Sequence, residues 1–480
     1  MNGFSAIGCE WKRISQISTL PPGEGYQDRL DCRAAVGETT REQDAQFMIR
    51  RPEFIRSLSF FFLFAALCAF MGGSPLCAQQ ALDWDQVKAR FEANNPALKA
   101  DADNVDEARA EEITAYLRPN PQFTTTVDGT EIAPNDGHWM PLTGTFVEPG
   151  ISYLHERDHK RELRLKSAQQ VTKITESQHE DLKRNLKFAL RSAFVQTLEA
   201  KDVLNLARQD LAYYDHIIAI SQERFKAGAI ASIDLDRIEL QRVQYEAELQ
   251  TAIVNLRTAK IQLLQLMNDH TPVAQFDVTG PFDFSDTLPS LDYFRQVALA
   301  NRPDLRAAMQ TIQQSETNHK LAIANGSTDP TFGAWWTWNS AVNNPYPIDM
   351  STMGFSVSVP LRIFDRNQGE KARTQIDIDR AREASEAVRA QVFSDVDTAY
   401  AAVQSDIALL KPYKAQYNAQ ALHVRDAVTY SYEHGGASLM DFLNAQSDYR
   451  QVQLAYAQLI GDYMTATAQL NLAVGREVIQ

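Results

Sequence analysis

From Glu156 to Ala227 the chain alternates apolar and polar positions with the period of a helix. Leu163, Val171, Ile174, Leu182, Leu186, Leu190, Phe194, Leu198, Val203 and Leu211 recur at spacings of three, four or eight, with one of five, and no proline or glycine occurs before Gly228. Roughly 70 residues at about 1.5 Å each predict a rod on the order of 100 Å long, which must pack lengthwise on other helices. Gly228 marks its stop, and an apolar-periodic return run, Asp234 to Met267, follows. A second long run, Arg366 to His434, is broken only at Lys411-Pro412; it ends at Gly435 and returns over Asp441 to Val474. Both return runs are half the length of the outgoing ones, so other segments must cover the remainder.

The two halves are copies. Gly228 and Gly435, Asp234 and Asp441, Phe225 and Tyr432, and the Asn95-Pro96-Ala97-Leu98 and Arg302-Pro303-Asp304-Leu305 steps all share an offset of about 207 residues. Each copy opens with a short helix and a longer one: Trp84 to Ala93 and Pro96 to Leu117 in the first, Leu291 to Ala300 and Pro303 to Ala324 in the second. Each then supplies two extended stretches. Gln122 to Asp128 and about 143–154 are separated by a loop rich in Pro, Asn, Asp and Gly. In the second copy, a strand with Trp335, Trp336 and Trp338 precedes Met353 to Pro360. Phe355, Val357 and Val359 point one way and Ser356 and Ser358 the other, whereas 146–153 does not alternate cleanly. A two-stranded hairpin is not stable alone, so four strands with apolar faces on an exported chain predict a barrel closed by several chains. The tryptophans then read as an aromatic girdle, or as soluble core packing.

The start of the chain changes the picture. Arg50, Arg51 and Arg56 precede the apolar run Leu58 to Phe70, a signal-peptide pattern with cleavage expected after Ala78. Residues 1–47 lie upstream of a usable Met48 and read as an over-long start assignment. The division expected is therefore 1–47 upstream, 48–78 signal peptide, 79–289 first repeat and 290–480 second repeat. A twin-arginine reading of Arg50-Arg51 is disfavoured because the aromatic after the pair stands one place too late. Cys9, Cys32, Cys68 and Cys77 all precede the expected cut, which excludes disulfides, thiolate metal sites and cysteine nucleophiles from the mature chain. Bulky Leu76 argues against lipidation of Cys77. Residues 1–78 hold eight Lys/Arg and eight Asp/Glu, so the net −14 belongs to the mature part; nucleic acid is excluded as a natural partner and cationic cargo is admissible.

Taken in order, the repeat, the tips and the strands resemble outer-membrane efflux proteins of the TolC family over nearly all of residues 82–476. Leu117-Arg118-Pro119-Asn120-Pro121, Arg302-Pro303-Asp304-Leu305, Arg224-Phe225 to Gly228 with Asp234-Leu235, and Gly435 to Gln446 carry the resemblance. Val359 to Glu370 resembles the heavy-metal (CzcC/CusC-like) branch more than the multidrug one. The resemblance implies a mainly α fold with a membrane β-barrel: a homotrimer with twelve strands in outer-membrane lipid above a periplasmic α-helical tunnel. It implies a passive exit duct, with no cofactor, for substrates delivered by an inner-membrane RND-type pump and a periplasmic adaptor (membrane fusion) protein. The tips Gly228, Ala229, Ile230 and Gly435, Gly436, Ala437 would meet the adaptor. A drug or type I protein export duct is the alternative cargo reading.

By the same resemblance, Asp441 belongs to a carboxylate ring at the periplasmic mouth, with Asn444 in place of a second acid one turn on, Asp234 as its first-copy counterpart, and Tyr432 as a hydroxyl latch. Ala437 falls where some members carry an arginine partner. Asp234 and Asp441 equally suit the start of a helix, where the macrodipole favours an acid. His155, Glu156, Asp158 and His159 have metal-ligand spacing at an expected helix start, and equally suit a helix cap or solvent. A non-channel exported coiled-coil protein would explain the rods but not a signal peptide with paired hairpins. An exported hydrolase would need a glycine-framed serine or an HExxH pattern, and neither is present.

Overall fold

The computed structural model describes residues 81–479 except 135–136, 143 and 340–349. The expected signal peptide and the segment upstream of it therefore lie outside the described residues. The same element order occurs twice. The first pass is α1 (Trp84–Asn94), α2 (Pro96–Tyr116), β1 (Gln122–Asp128), β2 (Phe146–Leu154), α3 (Lys160–Lys226) and α4 (Ser232–Met267). The second is α5 (Leu291–Asn301), α6 (Pro303–Asn325), β3 (Thr331–Asn339), β4 (Met350–Ser358), α7 (Gln368–Pro412), α8 (Asn418–Glu433) and α9 (Leu439–Val474).

α3 runs 67 residues without a break. Its counterpart widens into one π turn, Tyr413–Tyr417, between α7 and α8. Pro412 causes this: it has no N–H to donate and its ring crowds the preceding turn, so the chain passes it with a wider turn instead of kinking. Tyr413 closes the bulge by stacking on Tyr456 of α9, 6.2 Å between centroids.

The helices lie side by side in two tiers. In the tier next to the strands, α2 packs on α3, α3 on α6 and α6 on α7; in the tier next to the tips, α4 packs on α3, α3 on α9 and α9 on α7 and α8. Where the half-length return helices end, both copies contribute to one core that includes Val87, Phe91, Phe194, Leu263, Met267, Phe294, Val396 and Leu470. The missing length is covered here by the connector after α4, which holds Leu82 in a parallel bridge to Val278. The two return helices end alike, with Asn268 and Gly475 both left-handed. At each end a side chain from the start of the longer helix bonds a carbonyl: Asn95 Nδ2 donates to Leu266 O (2.9 Å) and Arg302 Nη1 to Ala473 O (3.3 Å).

The strands form one antiparallel sheet in the order β1-β2-β3-β4, with β1 and β4 as unpaired edges among the described residues. Phe123, Ile151, Ala334 and Phe355 stand in register, as do Tyr153, Phe332 and Val357, and these alternate with Thr124, Gly150, Trp335, Gly354 and with Ser152, Gly333, Ser356. One face is thus apolar and exposed, and the other is polar or small. The alternation that 146–153 hides in sequence is present in space: Val147, Pro149, Ile151 and Tyr153 share the apolar face. Pro149 obscures it because it has no N–H for the ladder, and the pairing of β2 with β3 skips Trp336 and Thr337. Glu148 accepts instead from Thr337 Oγ1, 3.0 Å. The tryptophans divide between the faces. Trp336 and Trp338 share the apolar one, but Trp335 lies across Gly354, which has no room for a Cβ, and against Gly150. It fills the polar side and is no part of a girdle.

No helix among the described residues is long and apolar enough to cross a membrane.

Candidate functional site at the helical tips

Both tips are built by the same local chemistry. Gly228 and Gly435 take φ of 73° and 78°, the left-handed conformation that lets a helix turn back on itself. Gly228 N donates to Phe225 O (2.9 Å) and Ala229 N to Arg224 O (2.8 Å). Gly435 N donates likewise to Tyr432 O (3.1 Å) and Gly436 N to Ser431 O (2.7 Å). These two bond pairs are the Schellman pattern, which satisfies carbonyls the helix end would leave bare. Ile230 and the exposed Ala229 follow at the first tip; Gly436 is exposed at the second, and Ala437 packs on the small core behind it.

That core contains Tyr214, Ile217, Ile238, Tyr245, Tyr432 and Phe442, from α3, α4, α8 and α9. Tyr432 stacks on Phe442 at 5.0 Å, and the Arg224 guanidinium lies over the Tyr432 ring at 4.9 Å while donating to Tyr432 O at 3.0 Å. The Tyr432 hydroxyl is buried without a hydrogen-bond partner among the described residues. Within one protomer it is therefore the ring, held by Arg224 and Phe442, that joins the two tips. Sequence reasoning passed over Arg224; its place in the last turn of a long helix, where cations are favoured, was the available signal. Behind this lies a polar layer in which Gln446 Nε2 donates to Tyr213 Oη (3.1 Å) and Tyr213 Oη meets Thr429 Oγ1 (3.0 Å).

Asp441 and Asn444 are both exposed on one face of α9. Asp441 forms a capping box: its Oδ2 accepts from Ser438 Oγ (2.6 Å) and Ser438 N (3.1 Å), while Asp441 N donates to Ser438 Oγ (3.2 Å). The bonds from the Ser438 hydroxyl and amide hold its carboxyl below the usual carboxylate range, so it is ionised and fixed in direction. Asp234 lies in the first turn of α4, where Ala231 supplies no side-chain cap.

Farther from the tips along α3, burial pushes the Asp210 carboxyl up to about 6; Glu248 adds to this and the Arg450 and Arg425 guanidiniums oppose it. An acid whose pKa is raised by folding binds more protons in the native state, so stability falls as pH rises from the ordinary Asp range through about 6. The helical tier near the tips should be more protected from hydrogen exchange at pH 5 than at pH 7, and Asp210→Asn should remove that difference. An unchanged difference in the variant would assign it elsewhere.

The histidine cluster is not assembled. α3 starts at Lys160, so His155 and His159 precede the helix and do not share a face of it. Glu156 grips Arg164 through both oxygens, His159 points to solvent, and Lys160, Ser327 and Asp329 make the local contacts. Among the described residues, no three His, Cys, Asp or Glu gather as a metal would require.

Residues 294–476 match the family described as Outer membrane efflux protein. The chain is similar to the cobalt-zinc-cadmium resistance protein CzcC of Cupriavidus metallidurans, 23% identical over 393 residues, covering 80% of this chain and 87% of the relative. It is also similar to the outer membrane protein TolC of Escherichia coli, 24% identical over 300 residues, covering 59% and 60%. In structure it superposes on CusC with a TM-score of 0.69 at 17% identity, covering 83% of this chain and 96% of that one. A sheet with one exposed apolar face above long paired helices is the fold this chain shares with that solved channel, and the matched family is made up of channels and not enzymes. The second half of the chain thus matches the outer membrane efflux protein family, and over most of its length the chain resembles the CzcC/CusC-like branch of TolC-family proteins, a likeness that supports an outer-membrane location.

Proposed function

We propose that three copies close a twelve-stranded barrel over a helical tunnel, and that this duct releases heavy-metal cations handed on by a periplasmic adaptor and an inner-membrane RND-type pump. The observation that supports it is the sheet: four strands with a lipid-compatible face, a polar face and two unpaired edges are stable only when the edges are joined. The chain would be cut after Ala78, its two repeats spanning 79–289 and 290–480. The cargo reading is supported by the likeness to CzcC, described as a cobalt-zinc-cadmium resistance protein, and by the proposed acidic mouth. Three Asp441 carboxylates around one axis, each held ionised by its own cap, repel one another and favour a cation between them.

In planar bilayers, Asp441→Asn should lower cation selectivity and weaken block by divalent metals applied from the periplasmic side. An asparagine oxygen can still accept from Ser438 N, so the change isolates the charge from the cap. Selectivity and block equal to the parent's would leave Asp441 as a helix-start residue only. Cargo is tested in cells lacking the gene: increased sensitivity to zinc, cobalt or cadmium supports the proposal, and sensitivity to drugs or loss of a secreted protein alone would replace it with one of those ducts.

Adaptor docking at the tips is tested separately. Gly228→Val and Gly435→Val each force a β-branched residue into a left-handed conformation at a cost of about 1–2 kcal/mol. No atom lies within 4 Å of the missing Cβ at either position, so the strain is confined to the turn. Cross-linking to the adaptor should fall while trimers persist; full cross-linking in both variants would place docking elsewhere.

A further inference from the structure

We infer that the loop after β4 is an apolar clasp between copies of this chain, its Leu361, Ile363 and Phe364 closing over Ile113, Tyr116 and Leu117 of the next protomer. The inference rests on the proposed trimeric barrel. Leu361 and Phe364 are 80% and 90% exposed, and Ile113 and Leu117 at the end of α2 are 68% and 61% exposed.

The loop is not loose. Ile363 N donates to Leu361 O (3.0 Å), Gln368 Nε2 to Phe364 O (3.1 Å), Asn367 N to Asp365 Oδ1 (2.8 Å) and Asn367 Nδ2 to Ala322 O (2.7 Å). A fixed loop that presents three large apolar side chains to water is disfavoured unless something covers them.

The repeat indicates what does. Inside the protomer, the equivalent loop after β2 packs on the segment that precedes β3: His155 N donates to Pro330 O (2.9 Å), Arg157 N to Asp329 Oδ1 (2.9 Å), and Lys160 pairs with Asp329. Moved on by one copy, that arrangement sets the loop after β4 against the segment that precedes β1, Leu117 to Pro121, on the neighbouring chain. The ion pair has no counterpart there, because Asn120 stands three places before Phe123 where Asp329 stands three before Phe332, and Gln368 opens α7 where Lys160 opens α3. In place of that ion pair, both sides of the second junction present large exposed apolar side chains.

The test uses paired cysteines, Leu117→Cys with each of Leu361→Cys, Ile363→Cys and Phe364→Cys, oxidised in outer membranes. Within one protomer β1 and β4 are three strand spacings apart, about 14 Å, beyond the roughly 7 Å a disulfide tolerates between Cα atoms. At least one pair should give covalent dimers and trimers on non-reducing gels while the single variants give none. Phe364→Glu should lose the SDS-resistant trimer, and adding Leu117→Lys should restore it. Native trimers with no ladder from any pair would overturn the clasp, as would quenching of a probe at position 364 by lipid-borne quenchers, which would make lipid the occupant. Absence of trimers in the parent chain would overturn the barrel reading itself.

Discussion

Replacing Arg302 by alanine is expected to destabilise the tunnel by about 3 kcal/mol, a value at the low end for breaking a buried ion pair because the partner carboxylates are partly exposed. Arg302 opens α6 with its side chain only 4% exposed. It donates to both oxygens of Asp304 (3.0 and 2.6 Å), to Asp395 of α7 (2.7 Å) and to Ala473 O at the end of α9. Burial alone would raise the Asp304 carboxyl, but its bonds to Arg302 prevail and hold it below its ordinary value. The alanine variant would leave two carboxylates and a helix-end carbonyl without that partner. An acid lowered by folding contributes stability above its unfolded pKa that is lost as pH falls through the folded value, so the parent should lose this contribution below about pH 4. The variant should lack that acid dependence. Asn95→Ala, at the equivalent place in the first copy, removes two neutral bonds, the one to Leu266 O and the cap bond from Leu98 N, and should cost about 2 kcal/mol. Thermal loss of helical circular dichroism measures all three chains; equal midpoints for Arg302→Ala and the parent would refute the assignment.

Phe442→Ala should loosen the helical tips and, in the proposed trimer, widen the mouth. The side chain is fully buried in a tip core of few members, stacked on Tyr432. Removing such a phenylalanine costs about 3–5 kcal/mol, and with so few neighbours the loss must be met by separation of α8 and α9 from α3 and α4. The expected reading is a several-fold rise in open conductance in bilayers, with trimers intact because the larger core at the ends of the return helices is untouched. Tyr432→Phe is the matched control. Its ring contacts with Arg224 and Phe442 survive and its hydroxyl has no partner among the described residues, so conductance should stay at the parent level. A rise in the control as large as in Phe442→Ala would return the latch to the hydroxyl, acting between protomers.

The two long rods, the half-length returns, the glycine turns and the offset of about 207 residues were all legible in the chain, because periodicity, proline avoidance and turn chemistry act within a few residues. Helix boundaries moved by only a few positions, the largest shift being at the start of α3, where Asp158 and His159 take left-handed conformations and delay the helix to Lys160. The sheet was legible less evenly. Phe355, Val357 and the serines between them declare a two-faced strand, but Pro149 hides the same pattern in β2, and only the register shows that Trp335, which strand alternation already turns away from Trp336 and Trp338, fills the space over two glycines.

At the mouth, the sequence placed Asp441 and Tyr432 at the tip, and tertiary structure decided what they touch. That Asp441 spends one oxygen on Ser438 is local and readable from the Ser-to-Asp spacing. That Arg224 covers Tyr432, or that Arg302 binds Asp395 and Ala473, is not readable, since these partners lie 208, 93 and 171 residues apart. Such pairs form because two tiers of helices exchange neighbours where the return helices end, bringing the termini of one element beside the middle of another. The chain encodes each helix through its own periodicity; which buried charge meets which carboxylate depends on the packing of separate helices, and no local pattern carries that information.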